Sequence, residues 1–356
     1  MSGRLKLRRG VVVSADPLEV EVGGERRRAW ADEVLLGEMR EGDEVVVNVA
    51  ALDLRLGSGG FDVVHVNLTR GLEGAGVEGD AHVMKLNYTS LQHPVEPVEG
   101  EVARFETHAM GAKGTTQPGE GVPVAVLPLH GHLAPAAWAA AQAAPGLRVG
   151  YVQTGGGALP GSFSRDVAEL RERGLLCGHI TAAPAYGGEY EAMSTVGALD
   201  AARKMGWDAI LVGGGPGIIG SDTEFGHGGM AALESAHAAL ALKLPTLLSP
   251  RLSSSDPRER HLYLSHHTFT VLECLLDPVE IAVPEADVPG AAEARSYLTQ
   301  AAGDRHHLRT APVDLDSYAA SGLPTRTMGR ALDDDPLFFA APLSAGHLLT
   351  ELRQSA

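Results

Sequence analysis

The chain has 356 residues and carries 45 acidic against 29 basic side chains, a formal charge of −16 that disfavours polyanionic partners; we expect no nucleic-acid partner and no membrane surface. With 44% hydrophobic and 21% charged residues it is not a disordered chain, and two cysteines, Cys177 and Cys274, exclude a disulfide framework and a cysteine-rich metal site. The length exceeds one ordinary domain of about 100–200 residues, so two are expected, and the 44 glycines point to close backbone packing and tight loops.

The N-terminal stretch is basic, but Asp16, Glu19 and Glu21 arrive before any apolar run of signal-peptide length. Later apolar windows at 133–144 and 230–248 are too short or too charged to span a bilayer, and the cytoplasm is the expected compartment. Leu18–Val22 alternates apolar and acidic residues, Gly23-Gly24 follows, and a second extended run returns over Glu25–Ala31. Two glycines between two such runs signal a hairpin, because primed turns need positive φ at both central positions. With the Glu41-Gly42-Asp43 turn, the valine-rich run Glu44–Val49, the Gly57–Gly60 break and the strand Phe61–Asn67, residues 1–70 predict a small barrel of the SH3 or OB type. Basic and acidic residues are near balance in its first half, which is no nucleic-acid footprint. Residues 71–121 are dense in glycine and proline and read as a connector with one extended piece at 81–91.

From Val122 the pattern changes. Apolar strands are predicted at 122–129, 147–153, 176–181, 208–213, 244–249 and 279–283, with helices at 133–144, 164–173, 189–205, 230–243 and 257–276. Fully apolar strands separated by helices predict an α/β domain over 122–284, Rossmann-like, with a mostly parallel sheet and helices on both faces. Asp256-Pro257 with Glu259 reads as the start of the last of these helices. Residues 285–356 read as an irregular tail ending in a helix over 343–353, with Asp333–Asp335 as a solvated loop and His306, His307 and His347 on the surface. The alanine-rich helical windows are compatible with a homo-oligomer.

In an open parallel sheet, ligands bind beyond the carboxyl ends of the strands, where helix N-termini point inward. Polar and glycine residues crowd those ends here and are sparse at the opposite ones. Thr154, Gly155, Gly156 and Gly157 offer backbone N–H groups for an anion or simply a tight turn. Gly188 and Glu189 follow the third strand. Gly215 and Gly217 belong to a weak match to the dinucleotide fingerprint, which comes after the fourth strand and loses an N–H at Pro216. Thr223, Arg251, Arg258 and Ser265 complete the candidate ligand-binding set. His266, His267 and His130 are the acid–base candidates, because imidazole titrates near neutrality. His130, His132, His227 and His261 are candidate ligands for a zinc- or manganese-type ion assembled from several loops, although no H-E-x-x-H motif is present. Cys177 and Cys274 lie in apolar surroundings and read as core.

Taken together, Thr154–Pro160 (TGGGALP) with Phe163-Ser164, Gly187-Gly188-Glu189 with Glu191-Ala192, Gly215-Pro216-Gly217, Arg258-Glu259-Arg260-His261 and Ser265-His266-His267 resemble an uncharacterised bacterial domain-of-unknown-function family. The likeness runs from Arg9-Gly10 through the Gly42-Asp43 turn to about Pro284. It implies no known activity, substrate or cofactor, and no catalytic role is carried over from it.

The leading expectation is therefore an enzyme, a hydrolase or transferase, acting on a small anionic metabolite that bears phosphate or carboxylate. A non-catalytic ligand-sensing or assembly module is the alternative, and a metal-dependent hydrolase the third. The cofactor is left unknown by the sequence.

Overall fold

A computed structural model describes residues 5–56, 59–72, 81–100 and 121–355. The chain divides into two compact units, Met1–His82 with Asn87–Pro94, and Val83–Leu86 with Val95–Ala356. Much of the expected connector, 73–80 and 101–120, lies outside the described residues; within it, β6 (Val83–Lys85) and β7 (His93–Val95) are short strands.

In the first unit, β1 (Leu7–Ala15), β2 (Leu18–Val22), β3 (Glu25–Trp30), β4 (Glu44–Asn48) and β5 (Asp62–Asn67) form a closed barrel in the order β1-β2-β3-β5-β4. Gly23 and Gly24 sit at φ 61° and 83°, the conformation the hairpin signal required. Val12, Val20, Val45, Val47, Val49 and Val64 fill the interior with Met39. Among the buried carboxylates of this unit, Asp43 accepts from the Arg40 N–H and the Asn67 amide, each at 2.9 Å, and pairs with Arg70.

The second unit is built on eight parallel strands. These are β8 (Val124–Leu127), β9 (Val149–Thr154), β10 (His179–Ala182), β11 (Tyr190–Ala192), β12 (Ala209–Gly214), β13 (Thr246–Leu248), β16 (Glu280–Glu285) and β17 (His307–Pro312), in the order β11-β10-β9-β12-β8-β13-β16-β17. The central ones are buried along their whole length, as strands covered on both faces must be. Helices α1 (Leu133–Ala143), α2 (Arg165–Glu172), α3 (Thr195–Lys204) and α4 (Ala231–Ala241) connect the first strands. Serine side chains at Ser164 and Ser194 accept from N–H groups of the first turn and fix where α2 and α3 start.

Several expectations change. The window 189–205 is not one helix: Tyr190–Ala192 pairs with β10 as an edge strand, and the Ser194 cap starts α3 afterwards. The window 257–276 also splits, into a single turn at Glu259–His261, the short pair β14 (Leu252–Ser253) and β15 (Tyr263–Leu264), and then α5 (His266–Cys274), capped by Ser265. Asp256 caps no helix because arginines claim its carboxylate. The tail is ordered too. It supplies α6 (Ala291–Ala302), strand β17, α7 (Leu315–Ala320), the hairpin β18 (Arg326–Thr327) and β19 (Arg330–Ala331), and the long α8 (Pro336–Ser355). β17 escaped notice because it lies at the sheet edge and only Ala311 among its residues is buried, so no apolar run marks it. Helix α8 approaches α1 so closely that a Cβ on Gly346 would lie 2.1 Å from the Ala136 carbonyl. His306 and Asp335 are buried rather than solvated: His306 bonds the Leu272 carbonyl and the Val279 N–H, and Asp335 is fully enclosed. Among the described residues no helix is long and apolar enough to cross a membrane.

Candidate functional site

The strand order places a crevice at the carboxyl ends. From β8 the chain passes over to β9, β10 and β11 on one side, returns to β12 beside β8, and then proceeds to β13, β16 and β17 on the other. Loops leaving the two flanks diverge at that reversal, where open α/β sheets hold ligands. A cavity of about 470 Å³ lies there. It is lined by His130 after β8, Asp166 at the head of α2, Pro216–Gly220, Asp222, Thr223 and His227 after β12, and Arg251, Arg258, Arg260, His261, His266 and His267 after β13. The tail hairpin adds Arg326, Thr327 and Met328.

The imidazoles of His227, His266 and His267 gather in its wall. The rings of His227 and His267 stack with centroids 3.7 Å apart and planes at 9°, and His266 stands 4.4 Å from His267. Nitrogen atoms of the three, one from each ring, lie within 4.8 Å of one another. His227 Nε2 is 2.9 Å from the Glu224 carbonyl. A carbonyl only accepts, so Nε2 carries the proton and Nδ1 a lone pair. That Nδ1 has no hydrogen-bond partner, nor does Nε2 of His266, although both atoms are buried. Burial, reinforced by Arg251 and the neighbouring imidazoles, pushes His267 down to about 2, and burial likewise lowers His227 and His266. These rings are neutral donors of lone pairs. His261 borders the group with both nitrogens engaged, Nδ1 on Ser265 Oγ at 2.7 Å and Nε2 accepting from Arg260 at 3.4 Å.

Beside them lies an ion network. Asp256, wholly buried, receives both Nε and Nη2 of Arg258 at 2.9 and 2.8 Å, and Nη2 of Arg330 and of Arg251 at 3.3 and 3.4 Å. Arg330 also reaches Asp335 at 3.0 Å, and Asp335 accepts from the hydroxyl of Ser253 at 2.6 Å and the Ser254 N–H at 2.9 Å. Burial alone would raise Asp256, but the Arg258 bonds and the surrounding arginines hold it well below the usual carboxylate range. Burial brings Arg251 down to about 10, with Arg258 adding to the effect and Asp256 opposing it.

The remaining candidates are placed as follows. His130 Nδ1 faces the Gly214 carbonyl at 3.3 Å, so its Nε2 accepts from the Ser164 hydroxyl at 2.7 Å; Asp166 is 3.9 Å from the same nitrogen. His132 is buried elsewhere, with Nδ1 on Ser249 at 3.0 Å and its ring edge-on to Phe338. Gly217, Thr223, Arg251 and Arg258 line the cavity. Thr154–Gly157 does not; it packs against the β12 loop. A Cβ on Gly157 would lie 2.0 Å from the Gly215 carbonyl, and one on Gly156 2.5 Å from that of Gly228. Those glycines are required by backbone contact, and Gln153 Nε2, donating to the Ala158 carbonyl at 3.1 Å, pins the turn from below. Gly188 and Glu189 lie apart from the cavity, Glu189 pairing with Arg171 at 2.8 Å. Ser265 touches no ligand space; it caps α5 and orients His261.

Sequence reasoning did not single out Asp166, Asp222, Arg326 or Met328 as lining residues. Asp166 was within reach, two residues past a helix-capping serine. Arg326 and Met328 were not, because two-residue strands leave no periodicity to read.

No curated protein and no solved structure matches the chain. The family described as "Protein of unknown function (DUF3866)" matches residues 28–346, from within the barrel to α8. The family description names no activity, and the chain belongs to this DUF3866 family.

Proposed function

We propose that this protein is an enzyme acting on a small anionic metabolite, bearing phosphate or carboxylate, held in the cavity at the carboxyl ends of the parallel strands. One observation carries the reading. In a chain of charge −16, the charged residues lining the cavity are Arg251, Arg258, Arg260 and Arg326 against only Asp166 and Asp222. Guanidinium forks suit carboxylate and phosphate oxygens, and a cationic excess on a partly enclosed wall concentrates anions, with Arg251 and Arg258 also pairing with Asp256 and Arg260 with Asp222. His130 supports a catalytic role, since its Nε2 already accepts the Ser164 proton at 2.7 Å, with Asp166 beside it. Hydrolysis or group transfer is the reaction class this set of groups suits. The reading takes the cytosol as compartment and excludes nucleic acid as partner, on the acidic charge.

The test is thermal stabilisation of the full chain by a panel of phosphomonoesters and carboxylates, repeated with Arg326→Ala. That side chain is exposed, so its removal leaves the fold intact. A raised melting temperature that Arg326→Ala abolishes supports the reading. No stabilisation by any anion, or equal stabilisation of both proteins, overturns it.

A further inference from the structure

We propose that His227, His266 and His267 form a binding site for one divalent transition-metal ion of the zinc type, with its open coordination position facing the cavity. The proposal goes beyond anion binding and stands independently of it.

The three rings come from two elements that the sheet reversal brings together: His227 from the loop after β12, and His266 and His267 from the first turn of α5. One nitrogen from each lies within 4.8 Å of the other two. At a tetrahedral angle two bonds of about 2.1 Å span roughly 3.4 Å, so a pair at the outer limit of this spacing must close by about 1.4 Å, a movement shared between two side chains by rotation of their torsions. Two buried nitrogens, Nδ1 of His227 and Nε2 of His266, have no hydrogen-bond partner. Unsatisfied buried acceptors are costly unless something fills them. His227 is already oriented, its opposite nitrogen donating to the Glu224 carbonyl at 2.9 Å. An outer contact of this kind fixes the tautomer of a ligating histidine.

Gly229 supplies an independent sign. Its φ is not positive, so backbone conformation does not demand glycine there. A Cβ at this position would lie 2.9 Å from His227 Nδ1 and 3.2 Å from His267 Nδ1. The glycine keeps a side chain off the Nδ1 side of both rings, where His227 Nδ1 has no partner and His267 Nδ1 meets Arg251 Nη1 at 3.4 Å. The donor set is three neutral imidazoles without thiolate or carboxylate, which favours zinc, cobalt, nickel or copper over magnesium or calcium. Three protein ligands and one free position is the arrangement of catalytic rather than structural zinc sites. The free position would take water or an oxygen of an anion that the cavity arginines hold.

The experiment uses the full chain, stripped with a chelator and titrated with Co(II), read by visible absorption, and with Zn(II), read by equilibrium dialysis. One ion per chain is expected, with a ligand-field spectrum of nitrogen and oxygen donors. His227→Ala, His266→Gln and His267→Ala should each weaken binding by roughly a hundredfold or more, beyond the 10–100-fold that follows loss of an outer partner. Gly229→Ala should weaken it without removing a ligand, and His237→Ala on α4 should leave it unchanged. If His267→Ala does not fold, His266→Gln decides the matter, since His266 is only half-buried. No stoichiometric ion in the wild-type chain, or binding unaltered by His266→Gln, overturns the site. Metal binding without anion stabilisation keeps this site and removes the proposed function; anion stabilisation without metal does the reverse.

Discussion

Two neighbouring clusters, one beside the cavity and one in its wall, treat their buried hydrogen-bond acceptors in opposite ways. Around Asp256 every buried carboxylate oxygen is claimed: three arginines converge on it, and Arg330 links it to Asp335, which two serines also bind. A few ångströms on, past the 3.4 Å contact from Arg251 to His267 Nδ1, the histidine trio leaves Nδ1 of His227 and Nε2 of His266 without a partner. The first arrangement resembles a structural clamp, holding the β13 loop to the tail hairpin. The second gains nothing for the folded chain alone. Polar groups kept buried and unsatisfied are where a ligand is to be sought.

The difference can be broken by mutation. Asp256→Ala strands Arg251 as a buried unpaired cation and should destabilise the second unit by about 3–5 kcal/mol, measured by denaturant unfolding. His266→Gln, by contrast, should change stability by no more than about 1 kcal/mol, since its buried Nε2 makes no bond to lose. Equal losses in the two variants would erase the distinction. Between these extremes, Gly157→Ala forces a Cβ against the Gly215 carbonyl, at 2.0 Å before relaxation, and should cost about 1–3 kcal/mol through displacement of the β12 loop. Ser164→Ala removes the α2 cap and the hydroxyl facing His130, a loss of about 1 kcal/mol by thermal unfolding.

Asp43 in the barrel sharpens the contrast from outside the cavity. Burial raises its pKa, but the Arg40 N–H, the Asn67 amide and Arg70 outweigh that, and the net shift is downward. A carboxyl depressed in the folded state stabilises the fold above its unfolded pKa of about 3.9 and loses that contribution as pH falls through the lower folded value. Hydrogen-exchange protection in β4 and β5, corrected for the intrinsic pH dependence of amide exchange, should therefore fall as pH drops below about 4, and Asp43→Asn should flatten this dependence. An unchanged acid profile would show that Asp43 is not the barrel's acid-sensitive clamp.

The repeated apolar runs of β8, β9, β12 and β13 announced a parallel sheet because each must be covered on both faces, and the glycine pair at 23–24 announced its hairpin because few residues tolerate positive φ twice. Arg251, Arg258, His227, His266 and His267 were legible as candidates through their places after β12 and β13. Their partnership was not. His227 and His266 are separated by almost forty positions, and no spacing rule links a loop after one strand to the first turn of a helix after the next. Asp335 read as a solvated acid because an aspartate in an acidic run usually is one; only the folded tail, bringing it to Ser253, makes it a clamp.

The amino-acid order by itself determined the local elements, the side of the sheet that would be polar, and the acidic charge balance. These depend on neighbours within a few residues and on composition. Tertiary structure decided which nitrogen lone pairs meet, which arginines are consumed by aspartates and which histidine is sealed away, as His132 is beside Phe338. Such outcomes rest on distances across strands and on burial, and both arise only when the reversal after β12 sets remote loops side by side.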